Sequence, residues 1–201
     1  MTKDADLQIA ADVIAAVRAG QPLVHCISAA VSADVVANGL LAAGARPVMT
    51  DTIEEAPAMT QAADALLINL GMLSRAAAEA IPICAALAHE LDKPWVLDPT
   101  AVGTAPVRTQ LAAELLALQP TAIRGNASEI RALAGERRAG RGADSGDGVD
   151  DALPAAQALA RRSDGVVAVS GPIDLIVDAD RIQRVARGHQ LLTRVTGSGC
   201  L

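Results

Sequence analysis

The segment Ala65-Leu66-Leu67-Ile68-Asn69 is apolar at every position but the last, so it has no polar face to turn toward water. A strand exposed on one side would alternate polar and apolar residues. A short continuous apolar run instead predicts a strand in the middle of a parallel sheet covered on both sides. Further strands are predicted at Leu23–Ile27, Arg46–Met49, Trp95–Asp98, Thr121–Arg124 and Val166–Ser170. Asp174–Val177 and Arg181–Ala186, joined by Asp178-Ala179-Asp180, have the pattern of a hairpin.

Helical periods fall between these strands. Leu7, Ile9, Ala10, Val13, Ile14 and Val17 mark a helix over Asp4–Ala19, closed by Gly20. Ser32 is placed to cap a second helix running to Gly44, and Ser74 to cap another running to Glu90. The latter contains Pro82, and an interior proline costs about 3 kcal/mol, which predicts a break near Ala78–Pro82. Further helices are expected over Glu54–Ala63, Pro106–Leu118, Asn126–Ala134 and Leu153–Arg162, with Arg137–Asp150 a mobile surface loop by composition. A β-α alternation repeated this often defines an α/β fold with right-handed crossovers.

In such sheets ligands gather at the carboxyl ends of the strands. That rule selects Met49, Asn69–Gly71, Asp98, Arg124–Asn126, Ser170–Gly171 and Thr196–Cys200, residues scattered in sequence and gathered only by topology. In Gly197-Ser198-Gly199-Cys200, two glycines around one small residue allow a tight turn whose N–H groups face one point. If a helix starts there, the amides and the helix dipole form an anion hole, and Cys200 sits where a thiol ionises readily. Alternatively, the pair of glycines is an ordinary turn. Asn126-Ala127-Ser128-Glu129 has capping-box spacing, and a capped helix end can also present Glu129 to a magnesium ion at a nucleotide's phosphates. Asp98 is a candidate magnesium ligand or a local cap, and Arg124 a phosphate clasp or a salt-bridge partner. Met49 suits either the core or an apolar substrate pocket.

Composition narrows the classes. The 201 residues are enough for one sizeable core, and no run approaches the roughly 18 apolar residues of a membrane span. The start Met1-Thr2-Lys3-Asp4-Ala5-Asp6 lacks the pattern of a secretory signal, so a cytoplasmic location is expected. Net charge is −6, Phe and Tyr are absent, and Trp95 is the sole aromatic residue; nucleic acid and membrane are therefore not expected partners. Three widely spaced cysteines (Cys26, Cys84, Cys200) define neither a disulfide framework nor a metal site, and Cys84 fits a small core hydrophobe. His25, His89 and His189 show no metal spacing and are assigned to structural or surface roles.

Taken together, the segments Pro22–Ser28, Ala37-Asn38 with Gly44–Met49, Leu67–Ser74, Leu97–Gly103, Ala122–Ile130 and Leu192–Cys200 resemble the hydroxyethylthiazole kinases of thiamine salvage. The likeness covers nearly the whole chain, and Ile123-Arg124-Gly125-Asn126-Ala127-Ser128-Glu129 is its most specific stretch. It implies a ribokinase-like fold, a mainly parallel sheet with helices on both faces. It also implies ATP-dependent phosphorylation of the alcohol of 4-methyl-5-(2-hydroxyethyl)thiazole, with Mg²⁺. By position in the family, Met49 and Gly197 would contact the thiazole, Arg124 and Ser170 the ATP, and Asp98 and Glu129 the magnesium. Gly197, Ser198, Gly199 and Cys200 would form the anion hole. Cys200 would be the catalytic residue, standing where related kinases carry an aspartate base. The family is typically a homotrimer. Ala29 departs from it: asparagine is usual there, and its loss removes a hydrogen-bonding amide near the substrate. The family also continues past the Gly-x-Gly-Cys turn with a long buried helix and others. The expectation is thus a single kinase domain over 1–201, incomplete at its C-terminus, with an apolar sheet face left uncovered. A non-catalytic domain binding a thiazole or a nucleotide, or a related small-molecule kinase of the same fold, is the alternative.

Overall fold

The computed structural model describes residues 3–136, 148–186, 188–195 and 197. Among these residues, eight strands form one sheet in the order β2-β1-β3-β4-β5-β6-β7-β8. These are β1 (Leu23–Ile27), β2 (Arg46–Met49), β3 (Ala65–Asn69), β4 (Trp95–Asp98), β5 (Ala122–Asn126), β6 (Val166–Ser170), β7 (Asp174–Val177) and β8 (Ile182–Val185). β1 to β6 run parallel, and β7 and β8 are the antiparallel hairpin. Its turn is set by Asp178, whose Oδ1 accepts the N–H groups of Asp180 and Arg181.

The helices are α1 (Lys3–Gly20), α2 (Ala33–Ala43), α3 (Ala56–Ala62), α4 (Arg75–Glu90), α5 (Pro106–Leu116), α6 (Ala127–Leu133) and α7 (Leu153–Ser163). Strand pairing assigns side chains to two faces, because residues paired in a parallel ladder point the same way and alternate along each strand. Leu66, Ile68, Trp95, Leu97, Ile123, Val167, Val169, Leu175 and Val177 lie on one face, in a single core with the buried sides of α3 to α7. On the other face, Val24, Ala65, Leu67, Val96, Ala122, Ala168 and Ile176 are only half-buried, and Val166 is exposed. Val36 and Leu40 of α2 close one end of that face, over a hollow of about 300 Å³ that reaches Asp98 and Arg124.

Two local expectations change. α4 runs unbroken through Pro82, because Ala77, Ala80, Ile81, Cys84, Ala85 and Ala88 bury its inner side and that packing offsets the missing hydrogen bond. Ser32 precedes α2 but does not cap it: its hydroxyl donates to the Ala29 carbonyl instead. Ser74 does cap α4, accepting the Ala77 N–H at 2.9 Å. Of the expected loop at Arg137–Asp150, residues 137–147 lie outside the described residues, and Val149 and Asp150 open a 3-10 turn over Val149–Ala152. Another 3-10 turn, Gln190–Arg194, precedes Gly197. Among the described residues, no helix is long and apolar enough to cross a membrane.

The unequal faces carry a stability prediction. Leu97, fully buried, should cost about 3–4 kcal/mol when replaced by alanine, whereas Leu67→Ala on the half-buried face should cost about 1–2 kcal/mol. Urea unfolding of the two variants measures this, and equal losses would mean that both faces are equally covered.

Candidate active site

The strand order reverses between β1 and β3, so the crevice between their carboxyl ends is the topological switch point. Three loops approach closely there. A Cβ placed on Gly71 would lie 2.8 Å from Asn69 Oδ1, 3.1 Å from the Ala29 Cβ and 3.6 Å from Thr100 Cγ2. A side chain at Gly71 would therefore press on Asn69 and Ala29, and the Gly71 N–H donates to Asn69 Oδ1 at 2.7 Å.

The register places polar side chains in rows at the carboxyl end of the half-covered face. Asn69 pairs with Asp98, and one strand further along Leu97 pairs with Ile123, so Asp98 aligns with Arg124. Asp98 is 4% exposed. Its Oδ2 accepts from Asn69 Nδ2 at 2.7 Å, and its Oδ1 from the Thr100 hydroxyl at 2.8 Å. An Arg124 guanidinium nitrogen stands 3.8 Å from Oδ2, an electrostatic contact rather than a hydrogen bond. Burial dominates and pushes the Asp98 carboxyl up to about 6, helped by the Glu129 charge; Thr100, Arg124 and Asn69 oppose it.

Glu129 enters from the first turn of α6. The capping box is formed: Asn126 Oδ1 accepts the Glu129 N–H at 3.0 Å, and Glu129 Oε2 accepts the Asn126 N–H at 3.0 Å. Glu129 Oε1 also accepts the Ala101 N–H at 2.9 Å, so the same carboxylate joins α6 to the loop after β4. Ala101 has φ 66°, which a residue with a Cβ holds only when its surroundings enforce it, and the Glu129 bond does so.

The structure thus brings Asp98, Arg124 and Glu129 together. Ser170 lies one step beyond Arg124, paired with Asn126, and its hydroxyl donates to the Gly125 carbonyl at 3.3 Å. Met49 pairs with Cys26, which pairs with Leu67, so it shares the half-covered face but stands on the edge strand, 37% exposed. Gly197, at φ 87°, packs against the start of α2, where a Cβ would lie 3.1 Å from that of Ser32 and 3.2 Å from that of Val35. Thr196, Ser198, Gly199 and Cys200 lie outside the described residues. Asn69 and Thr100 are the partners of Asp98 that local sequence patterns did not single out; the register brings Asn69 beside it, and Thr100 reaches back from two residues further along the chain. Cys84 is fully buried, as expected of a core hydrophobe.

Among the described residues, no group of three or more His, Cys, Asp and Glu side chains is placed to hold a metal. A magnesium ion does not require one, since it keeps waters and takes phosphate oxygens alongside one or two carboxylates. Asp98 and Glu129 fit that demand: each carboxylate oxygen accepts one hydrogen bond, which leaves lone-pair capacity on a hard donor.

The fold is that of the ribokinase-like small-molecule kinases. Bacillus subtilis pyridoxal kinase, solved as an ADP complex, superposes with a TM-score of 0.64 over 89% of this chain and 78% of its own, at 18% identity, a likeness of fold alone. Identity at the level of sequence is much closer elsewhere. Residues 14–201 match the hydroxyethylthiazole kinase family, and the chain belongs to it. It is 53% identical over 183 residues to the hydroxyethylthiazole kinase of Klebsiella pneumoniae, covering 91% of this chain and 71% of that one. The Kineococcus radiotolerans hydroxyethylthiazole kinase is 47% identical over 196 residues, 96% of this chain and 71% of its own. The structure of the Pyrococcus horikoshii hydroxyethylthiazole kinase superposes with a TM-score of 0.83 at 38% identity, covering 94% of this chain and 71% of that one.

Asp98 should hold its site at a cost in stability. Burial pushes its pKa up to about 6 in the folded chain, above the usual range of an aspartate, so protonation favours the fold at low pH and the benefit is lost as pH rises. Above about pH 7, Asp98→Asn should therefore stabilise the chain by about 1–3 kcal/mol, a gain that shrinks to almost nothing near pH 4. Thermal unfolding across that range tests this; a variant no more stable than the parent at neutral pH contradicts it.

Proposed function

We propose that this chain is a single ribokinase-like kinase domain that transfers the γ-phosphoryl group of ATP to the primary alcohol of 4-methyl-5-(2-hydroxyethyl)thiazole, a step of thiamine salvage. The observation that carries this is the row Asn69–Asp98–Arg124, with Glu129 beside it, at the carboxyl edge of a sheet belonging to this family. Phosphoryl transfer needs little covalent help from a protein; it needs charge neutralised and two oxygens held in line. In this proposal Arg124 meets the ATP phosphates, with Ser170 bordering the nucleotide. Asp98 and Glu129 hold Mg²⁺, which when bound neutralises charge on the phosphate oxygens. Met49 and Gly197 border the thiazole, and the amides of Gly197 to Cys200 receive the transferring group.

Cys200 takes the base position in the same proposal. A thiolate favoured by a helix N-terminus is also a weaker base, so positioning and charge carry more of the rate than proton removal. The proposal extends to a homotrimeric assembly in the cytoplasm. It also extends to a further helical layer over the half-covered face, which strands apolar on both sides call for.

The test is ADP release dependent on hydroxyethylthiazole. It is run on this chain and on a version extended by the C-terminal part of the Klebsiella pneumoniae relative. Thiazole-dependent turnover by the extended version is the expected result; its absence there defeats the assignment. Arg124→Ala should raise KM for ATP about tenfold or more while leaving KM for the thiazole near the parent value, because it removes a charge-assisted contact to phosphate. A change confined to the thiazole KM would place Arg124 at the wrong substrate.

A further inference from the structure

The edge strand β2 is four residues long and, among the described residues, pairs only with β1, so one ladder fixes the position of Met49 at its end. A second restraint comes from His25. This residue lies on the opposite, closed face of β1, paired with Leu66 and Val48, and is fully buried. Its Nε2 lies 2.9 Å from the carbonyl of Thr50, the residue directly after Met49, and its Nδ1 lies 2.8 Å from the Thr60 hydroxyl in α3. A carbonyl can only accept, so Nε2 carries the proton and Nδ1 accepts from Thr60. Burial lowers the pKa of the ring and favours the neutral form that this arrangement uses. The ring therefore spans from β1 to the exit of β2 and to α3, and both its nitrogens are occupied. Thr60 is itself fully buried, so the anchor on the α3 side is rigid. The loop that follows is held from its other side by Ser74, whose hydroxyl donates to Asp51 at 3.0 Å.

We propose that His25 is a positioning residue for the acceptor alcohol. By gripping the Thr50 carbonyl from beneath the sheet, it fixes the end of β2 and hence the placement of Met49 above it. This rests on the assignment of Met49 to the thiazole side of the site. The residue acts through backbone and touches no substrate, so its signature is a selective effect on one substrate.

His25→Leu removes both hydrogen bonds, whereas His25→Gln can return an N–H donor to the Thr50 carbonyl. In the version extended by the relative's C-terminal part, His25→Leu should raise KM for hydroxyethylthiazole about tenfold and leave KM for ATP unchanged. His25→Gln should recover most of that loss, and Thr60→Val, which frees one end of the ring, should give an intermediate rise. A loss of kcat or of thermal stability with both KM values unchanged overturns the proposal, as does an equal rise in both. Amide hydrogen exchange provides a readout independent of turnover. Residues 50–55 should exchange faster in His25→Leu or, if that variant does not fold, in Thr60→Val, with α5 and α7 unchanged. If the parent does not phosphorylate the thiazole, the assigned activity fails, while the restraint on the end of β2 is still decided by exchange. Unaltered exchange there overturns it.

Discussion

The site depends on a carboxylate kept where water would not leave it. Asp98 ends a strand whose neighbours are apolar, and burial alone would favour its neutral form. Asn69 and Thr100 hold its two oxygens, and the Arg124 charge stands close by. These partners offset only part of the desolvation, which leaves a group that gains from any further cation or proton. A carboxylate so placed is poised for a ligand and costs the fold stability in the ligand's absence.

Two further features follow from that arrangement. Asn69 uses its amide at both ends, donating to Asp98 and accepting the Gly71 N–H, so the β3 and β4 exits are fixed as one unit. Glu129 does the same for α6 and the loop after β4 by joining Asn126 and Ala101. The capping box is thus more than a helix start. It is the means by which the second carboxylate is held near the first, and the left-handed Ala101 is held with it. Rigid backbone, rather than side-chain bulk, keeps the charges in place.

The sequence made the order of elements legible because strands apolar on both faces and helices of regular period leave little choice of architecture. The capping box was legible for the same local reason: its partners are three residues apart. The pairing of Asn69 with Asp98 and of Asp98 with Arg124 was not, since register between strands about thirty residues apart is set by packing of the whole sheet. Ser32 misled because a hydroxyl before a helix has another partner in the Ala29 carbonyl. Pro82 misled because the propensity cost of proline is smaller than what six buried side chains contribute to α4. His25 could be assigned only to a structural or a surface role until the fold placed Thr50 and Thr60 on its two nitrogens.

The two closely held carboxylates make the dependence of nucleotide binding on Mg²⁺ the most direct measure of this account. Calorimetric titration of a non-hydrolysable ATP analogue, with and without Mg²⁺, should show binding strengthened about tenfold or more by the ion in the parent protein. In the variant carrying both Asp98→Asn and Glu129→Gln, the ion should make almost no difference. An equal Mg²⁺ effect in parent and variant would contradict the central place given to Asp98.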